Sequence, residues 1–346
     1  MSRRARTLIA LAAAVPAAAC PADDGALRRA WTTSIAFEND LFGESDAQYT
    51  NGIQLGWVSP DLSEYRDSDR LPQWSHRIIE RLPFINEPGL QRNVAFTIGQ
   101  KIFTPDDTQS TAVVADDRPY AGWLYFGAAF HNKNVRRLDT FEIDVGMVGP
   151  ASLAEQSQRF VHGLRGFDNP RGWDHQLDNE PAVLLVYERK HRLPPLEFGP
   201  RFAADAIAHG GAALGNVQTY VNAGLEVRVG WNLPADFGTA LIRPGGETSS
   251  PADPGDPRLG ESPPFSLHAF AALDGRLVGH DIFLDGNTFA SSHSVDRRLL
   301  VGDFWVGVAM TIGPAKLTYS QAFRTSEFYG QRRYHEFGSV SLSLTF

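Results

Sequence analysis

Residues 37–52 read FENDLFGESDAQYTNG, and our predictions of the fold and of the functional site both begin with this stretch. The residues on either side alternate, or nearly alternate, between apolar and polar side chains, which is typical of half-buried β-strands. The stretch therefore predicts a β-hairpin. A hairpin needs Gly or Asn at its turn but has no structural need for Asn39 and Asp40 inside the strand. These side chains, with Thr50 on the second arm, indicate a functional site.

The same alternation recurs along the chain and is clearest at residues 339–346, which read SVSLSLTF. Each such segment has about the length of a tilted strand that crosses a membrane, and an even number of them suits a closed bacterial barrel. The predicted fold class is all-β, a twelve-stranded antiparallel transmembrane outer-membrane β-barrel, and a soluble β-sandwich is the alternative. The predicted strands are 31–41, 49–59, 92–103, 121–133, 139–149, 181–190, 198–209, 217–231, 264–275, 299–312, 314–325 and 335–346.

Composition excludes several classes of function. The chain of 346 residues carries a net charge of −8, which argues against a nucleic-acid partner. Its single cysteine, Cys20, allows neither an intrachain disulfide nor a multi-cysteine metal site. No apolar run after residue 20 reaches the length of a membrane-spanning helix.

The first residues predict export from the cytoplasm. Arg3, Arg4 and Arg6 precede a short apolar run, and small alanines follow it, as in a secretory signal peptide. We therefore expect residues 1–19 to be a signal peptide and residues 31–346 to form a single barrel domain. Cys20 directly follows the small residues, so lipid attachment to this residue stays open.

The strand count assigns each connection to one side of the membrane. If both termini are periplasmic, the hairpin of Asn39 and Thr50, the segment 116–123 and the long loop 149–180 all lie on the outer side. Two periplasmic connections are long. Residues 60–91 are expected to contain a short helix near 73–82, and residues 232–263, rich in Pro, Gly and Ser, are expected to be mobile.

The long outer loop is predicted to contain a short helix. Ser152 and Glu155 have the spacing of a capping box, and Gly166 is a natural helix end. Phe160 and Leu164, together with Leu153, form one apolar stripe at 100° per residue.

His162 lies on the opposite side of this helix. In an arbitrary helix such a histidine is most often on a solvated face. Asp168, just past the helix end, and the Asn-Asp hairpin on the same side of the membrane favour a catalytic role. An imidazole beside a cation held by carboxylates can activate water, because the imidazole takes the proton and the cation stabilises the oxyanion.

These motifs resemble those of the outer-membrane lipid A 3′-O-deacylase family, and the resemblance covers essentially the whole mature chain. It implies a twelve-stranded outer-membrane barrel that removes the ester-linked 3′ acyloxyacyl group from lipid A in a Ca²⁺-dependent reaction. The helix that bears His162 is its most specific part. The matching motifs are END (38–40), YTNG (49–52), DRPYAGW (117–123), VGPAS (148–152), QRFVHGLRGFD (158–168), GW (172–173) and QL.NE (176–180).

The resemblance also implies roles for individual residues. His162 falls on the family's catalytic histidine, Asn39 and Asp40 on its Asn-Asp pair, and Thr50 on its hydroxyl residue. Asp168 falls where members can carry Glu, and the shorter side chain reaches about one methylene less. The implied mechanism resembles that of secreted phospholipase A2, with His162 as general base and Ca²⁺ held by Asp40 and Asp168. Asn39 and Thr50 would orient water or substrate.

Two residues of the DRPYAGW motif, Arg118 and Tyr120, are the candidate substrate-binding residues. Arg118 could bind a lipid phosphate or pair with Asp116 or Asp117, and both readings stay open. The sequence contains neither a Gly-x-Ser-x-Gly nucleophile motif nor a His-Glu-x-x-His zinc motif.

Three functions remain open. The first is a monomeric esterase for lipid A or lipopolysaccharide whose active site lies at the extracellular rim of the outer membrane. The second is a barrel esterase for phospholipid or another envelope lipid. The third is a barrel without catalytic activity, either a porin or a structural protein that kept the motif.

Overall fold

The computed structural model describes residues 24–40, 48–62, 76, 77, 79, 81, 87–239, 241–247, 249–259, 265–332 and 334–346. The predicted signal peptide, Cys20 and most of the helix predicted near 73–82 lie outside these residues. Within the described part, no helix is long and apolar enough to cross a membrane. The described α-helices are α1 (Asp24–Leu27), α2 (Ala154–Arg165) and α3 (Ile282–Asp285).

Twelve long antiparallel strands form a closed barrel, because the first strand pairs with the last, with Phe37 opposite Val340. Closure confirms the predicted barrel and excludes the sandwich. A short strand, β7, pairs with β8 at one end. The strands are β1 (Thr32–Asn39), β2 (Gln48–Val58), β3 (Gln91–Thr104), β4 (Ala121–Lys133), β5 (Arg137–Val148), β6 (Glu180–Arg192), β7 (Leu196–Glu197), β8 (Phe202–Gly215), β9 (Gln218–Trp231), β10 (Phe265–Asp281), β11 (Leu300–Ile312), β12 (Ala315–Arg324) and β13 (His335–Thr345).

Two strand boundaries differ clearly from the prediction. The strand predicted at 198–209 is β8, which ends at Gly215, and the strand predicted at 264–275 is β10, which continues to Asp281. Residues 208–215 read AHGGAALG, and their small side chains give almost no apolar alternation. Pairing with β9 nevertheless keeps this segment in the sheet, so the strand is set by its neighbours rather than by its own pattern.

The alternating pattern places apolar side chains outside the barrel and polar side chains inside. On β1, Ile35 is exposed on the outer face, whereas Glu38 is buried in the lumen. On β13, Leu342 and Leu344 face outward, and Ser339 and Ser343 are buried. An apolar exterior and a polar interior are the reverse of a soluble globule and suit a barrel surrounded by lipid.

The start of β1 and the end of β13 lie at one end of the barrel, where Thr32 pairs with Thr345; we call this the proximal end, and the opposite end is the distal end. The β1–β2, β3–β4 and β5–β6 connections all lie at the distal end, as the strand count predicted. The residues of the three polar motifs are therefore carried to the same end.

The connection between β9 and β10 enters the barrel, and we call residues 232–259 the luminal segment. The backbone N–H of Ile242 donates to Oε1 of Glu38 at 2.7 Å, and that of Gly245 donates to Oε2 of Glu142 at 2.8 Å. Asp236 has no solvent exposure. The sequence predicted a mobile connection, whereas its described residues are packed inside the barrel. The prediction rested on the Pro, Gly and Ser content of this segment. That content does not show that a few of its charged side chains form ion pairs inside the barrel.

Candidate functional site

A small pocket joins three of the predicted site residues, Asn39, Thr50 and His162. It lies between β1–β3 and helix α2, at the distal end. Ile102 and Phe167 form apolar parts of its lining. The pocket confirms that the first hairpin and the loop helix meet.

The pocket is on the outer face of the barrel wall. Glu38 faces the lumen, so its neighbour Asn39 faces outward. In the same way Lys101 lines the lumen, and Ile102 faces outward beneath α2. The site therefore opens away from the lumen.

Close packing holds α2 against this wall. A Cβ added to Gly122 of β4 would overlap the side chains of Ser152 and Ala154, so only glycine allows the helix to approach so closely. The side chain of Gln100 on β3 donates to the carbonyl oxygen of Ser152 at 2.6 Å. These contacts fix the start of the helix relative to β3 and β4.

The start of α2 differs from the prediction, whereas its end agrees with it. Ser152 lies in a separate 3₁₀ turn, and its Oγ donates to the carbonyl oxygen of Gly149 at 2.6 Å, so no capping box forms. The N-cap is Leu153, in the left-handed region at φ 59°, without a side-chain cap. Gly166 ends the helix at φ 72°, a conformation that glycine adopts without strain.

The polar face of α2 is buried and its apolar stripe is exposed. His162 is 5% exposed and Gln158 is 3% exposed, whereas Phe160 and Leu164 are 68% and 73% exposed. The alternative that His162 lies on a solvated face is therefore wrong. The helix turns its apolar side away from the protein because the wall beneath it presents polar site residues.

A main-chain contact fixes the orientation of the His162 ring. Its Nδ1 lies 2.7 Å from the carbonyl oxygen of Asp168. A carbonyl oxygen only accepts, so Nδ1 carries the proton and Nε2 is the basic nitrogen. Phe167 packs edge-on against the ring, with centroids 5.9 Å apart.

Asp168 contacts His162 through its main chain and not through its carboxylate. The residue itself is exposed. The sequence predicted a carboxylate that either steers the histidine or binds a metal. It is the carbonyl oxygen of Asp168 that contacts the imidazole ring of His162. The binding of a metal by the Asp168 carboxylate stays a prediction.

The two arms of the first hairpin are tied together at the pocket. Nδ2 of Asn39 donates to the carbonyl oxygen of Thr50 at 2.9 Å, and the hydroxyls of Thr50 and Thr104 lie 2.7 Å apart. Asp40 follows Asn39 at the end of β1 and has no solvent exposure. The amide and hydroxyl positions are thus set by hydrogen bonds within the barrel wall.

The donor atoms around Asn39 and Asp40 fit a hard cation. The side chains there offer carboxylate, amide and hydroxyl oxygens, which are the ligands that Ca²⁺ prefers. In the described part of the chain, no three His, Cys, Asp or Glu side chains are grouped closely enough to hold a metal. The types of side chain present therefore suit Ca²⁺. Main-chain and amide oxygens would supply the ligands that the carboxylates do not.

Gln158 lines the pocket and Trp173 contacts it, and the sequence prediction singled out neither residue. Nε1 of Trp173 donates to Oε1 of Gln158 at 2.9 Å, and Trp173 is 2% exposed. Tyr120, predicted to bind substrate, is also buried and packs against Trp173 with ring centroids 5.0 Å apart. Gln158 and Trp173 both lie inside the motifs quoted above. The motifs therefore marked these residues, but they did not show that the two side chains contact each other beside the pocket.

Arg118 links two distal loops. It is 1% exposed, and its guanidinium pairs with Glu327, with Nη2 2.6 Å from Oε2, and with neither Asp116 nor Asp117. Only its main-chain N–H donates to Oδ1 of Asp117, at 2.7 Å. Burial raises the pKa of Glu327, but the positive charges of Arg118 and Arg324 outweigh this effect and lower the pKa to about 2. The substrate-binding roles of Arg118 and Tyr120 stay predictions.

The chain is similar in sequence and in structure to known outer-membrane proteins. Residues 7–346 match the family model described as outer membrane protein LpxR. No curated protein sequence matches the chain significantly. LpxR from Salmonella typhimurium superposes with a TM-score of 0.70 at 16% identity, over 91% of this chain and 100% of that chain. The β domain of the Bordetella autotransporter BrkA gives 0.43 at 10% identity, over 91% and 98%, which is too weak to support a conclusion.

Proposed function

Because the chain belongs to the LpxR outer membrane protein family, we propose that this outer-membrane barrel hydrolyses an ester-linked acyl chain of lipid A, at the 3′ position, with water activated by His162. The single observation that supports this most directly is the pocket on the outer face of the wall. It brings His162, with its Nδ1 bound to a carbonyl oxygen, next to Asn39 and Thr50. We further propose that the distal end is extracellular, so that the pocket meets the outer leaflet.

His162 is suited to the general base in this reaction. Nε2 takes a proton from water, and the water oxygen attacks the carbonyl carbon of the ester. When the tetrahedral intermediate collapses, the bond between this carbon and the ester oxygen breaks. The imidazolium then returns its proton to the leaving hydroxyl oxygen. General base catalysis of this kind contributes roughly 10²–10⁴ in rate.

Asn39, Asp40 and Thr50 would position the reacting groups. Asp40, with oxygens of Asn39 and Asp168, would hold Ca²⁺. When bound there, the cation would stabilise the negative charge that develops on the carbonyl oxygen. The hydrogen bond from Asn39 to the carbonyl oxygen of Thr50 keeps the two arms of the hairpin at a fixed separation.

We expect Asp168→Asn to leave His162 oriented, because the contact is made by the main chain. If the carboxylate binds Ca²⁺, the concentration of Ca²⁺ for half-maximal activity should rise at least about tenfold, since loss of even an outer-shell partner costs a metal site this much. Acyl release measured over a Ca²⁺ series separates the two effects. A large fall in kcat at saturating Ca²⁺ would contradict a role confined to metal binding.

The exposed apolar face of α2 supports a lipid substrate. Phe160 and Leu164 stand on the side of the helix opposite His162, next to the apolar outer wall. An amphipathic helix in this position buries its apolar side in the adjacent leaflet. The pocket would then lie at the depth where acyl esters meet their head groups.

We expect the double variant Phe160→Ser, Leu164→Ser to lower activity on lipid A in vesicles by roughly ten- to a hundredfold, because burial of about half of the surface of these two side chains in the leaflet would contribute about 1.5–3 kcal/mol in total. Activity on a dispersed short-chain ester should hardly change. Leu196→Ser is the matched control, since Leu196 is 66% exposed at the proximal end. Equal losses on both substrates would contradict membrane contact through this face.

The filled lumen argues against a porin. The luminal segment carries the buried residues Asp236, Phe237 and Arg258 between the strands. A diffusion channel needs a continuous water-filled path along the axis. The porin therefore loses support, whereas a structural barrel without activity is tested only by the product analysis.

Product analysis tests the substrate class. Purified protein is incubated with lipid A or with phospholipid in the presence of Ca²⁺, and the products are identified by mass spectrometry. We expect loss of the 3′ acyloxyacyl group from lipid A. Release of fatty acid from phospholipid alone would favour the second function, and no release from either substrate would contradict an esterase.

A further inference from the structure

Three neighbouring strands bring Thr97, Gly127 and Asp144 side by side on the luminal face. Thr97 of β3 pairs with Gly127 of β4, and Gly127 pairs with Asp144 of β5. Glu142 lies two residues before Asp144 on the same face, because side chains alternate along a strand. Because glycine at the centre has no side chain, the side chains on either side approach one another over its Cα, and we call the narrow space between them the gap.

Side-chain oxygens converge on this gap. A Cβ added to Gly127 would overlap Oγ1 of Thr97 and Oδ1 of Asp144, and it would lie 3.1 Å from Oε1 of Glu142. Two carboxylates and one hydroxyl thus surround the space that a side chain at position 127 would fill.

In the part of the chain that the structure describes, no N–H or O–H group donates to the side-chain oxygens of Thr97 and Asp144. Thr97 is 4% exposed and Asp144 is not exposed at all; Oγ1 of Thr97 has no hydrogen-bond partner, and the carboxylate of Asp144 lies within hydrogen-bonding reach of the side chain of Glu142 alone. Glu142 and Asp144 also form no ion pair there. By contrast, Asp205, Asp236 and Asp303 in the same lumen each pair with arginine.

Lys101 does not neutralise the pair. Its Nζ lies over the rings of Tyr49 and Trp123, 5.9 Å from each centroid, and it forms no ion pair among the described residues. Two adjacent buried carboxylates without a cation are strongly unfavourable. Something that the protein chain itself does not supply must balance their charge.

We propose that Asp144, Glu142 and Thr97 bind a hard divalent cation inside the barrel wall. A divalent charge balances two carboxylates, and three oxygens around one gap are the ligand type that Ca²⁺ and Mg²⁺ take. The luminal segment holds Glu142 in place, because Gly245 donates to its other oxygen, Oε2, at 2.8 Å. The site therefore joins β3, β5 and the luminal segment.

The alternative to a bound cation is a proton shared by the carboxyl groups of Glu142 and Asp144. This alternative accounts for fewer of the unpartnered oxygens. A proton between the two carboxyl groups satisfies one oxygen of each, and it leaves the second oxygen of Asp144 and the hydroxyl of Thr97 without a partner. A cation can contact oxygens of all three residues. The site is separate from the His162 pocket, which opens on the outer face, so this inference does not depend on the proposed esterase activity.

Counting bound Ca²⁺ tests the inference. The full chain, folded in detergent at neutral pH, is equilibrated with Ca²⁺ and analysed by native mass spectrometry. Asp40→Asn, which weakens the candidate outer site, serves as the parent and should retain one Ca²⁺. Adding Asp144→Asn should remove that ion, whereas adding Asp303→Asn, a luminal carboxylate paired with arginine, should not.

A second variant guards against misfolding. Thr97→Val keeps both carboxylates and should bind Ca²⁺ roughly tenfold more weakly, since one oxygen ligand is lost. Heat-dependent electrophoretic mobility reports whether each barrel is folded. Absence of Ca²⁺ from the folded Asp40→Asn protein would favour the shared proton and overturn the proposal. The same would follow if Asp144→Asn retained the ion, or if Thr97→Val bound it with unchanged affinity.

Discussion

Replacing His162 by Gln should lower the rate of acyl release from lipid A by about 10²–10⁴-fold, the range that general base catalysis contributes. Glutamine has a similar size and can still donate to the carbonyl oxygen of Asp168, which lies 2.7 Å from Nδ1 in the native protein. It has no basic nitrogen to place where Nε2 stands. The loss should therefore appear in kcat, with little change in KM, and mass spectrometry of the released acyl groups measures it.

His175 provides the matched control. It lies in the same distal loop, is exposed, and has Nε2 3.1 Å from the carbonyl oxygen of Thr111. His175→Gln should retain the native rate. If His162→Gln also retained it, His162 would not be the general base, and the water would have to be activated by another group.

The second large effect is expected for stability. Asp236→Asn removes the charge that faces Arg228, Arg258 and Lys316 in the lumen, at 2.6, 3.3 and 2.6 Å. All four side chains are buried. Arg228 and Arg258 keep Asp205 and Asp256 as partners, each at 2.7 Å, but Lys316 has no other ion pair among the described residues, so its charge would be left uncompensated where water cannot replace the carboxylate. Breaking a buried pair of this kind costs about 3–5 kcal/mol. We expect the free energy of unfolding, measured by urea in detergent micelles through tryptophan fluorescence, to fall by this amount.

The exposed pair of Glu87 and Arg137 is the comparison. Glu87 has a side chain that is 43% exposed, and Oε2 lies 2.7 Å from Nη1 of Arg137. Glu87→Gln should leave the free energy of unfolding nearly unchanged, because exposed ion pairs contribute little to stability. A loss for Asp236→Asn as small as this would mean that the luminal segment contributes little to the stability of the barrel.

Sequence periodicity predicted most of the fold because a membrane barrel repeats one simple rule. Outward side chains must be apolar, so strands such as β13 show the alternation directly. The number of crossings then placed Asn39 and His162 at the same end, and the pocket shows that they meet. The ends of β8 and β10 were not predicted, and β8, rich in glycine and alanine, lacks the alternation that would have marked its end.

Contacts that depend on the third dimension could not be predicted in this way. The sequence indicated Asp168 by its carboxylate, whereas the contact to His162 comes from its main chain, which every residue type offers. The burial of the polar face of α2 reverses the usual rule for a helix on a soluble protein. Likewise, nothing local in residues 232–259 indicates that Asp236 has partners on distant strands.

The position of the His162 pocket on the outside of the wall affects how substrate arrives. If the proposed function is correct, a lipid substrate would reach this pocket by moving sideways within its own leaflet and would never have to leave the bilayer, because the pocket lies beside α2 and away from the lumen. Its encounter rate is then set by surface density and lateral diffusion rather than by concentration in water. Agents that stiffen the leaflet should therefore slow the protein even when every residue of the pocket is intact.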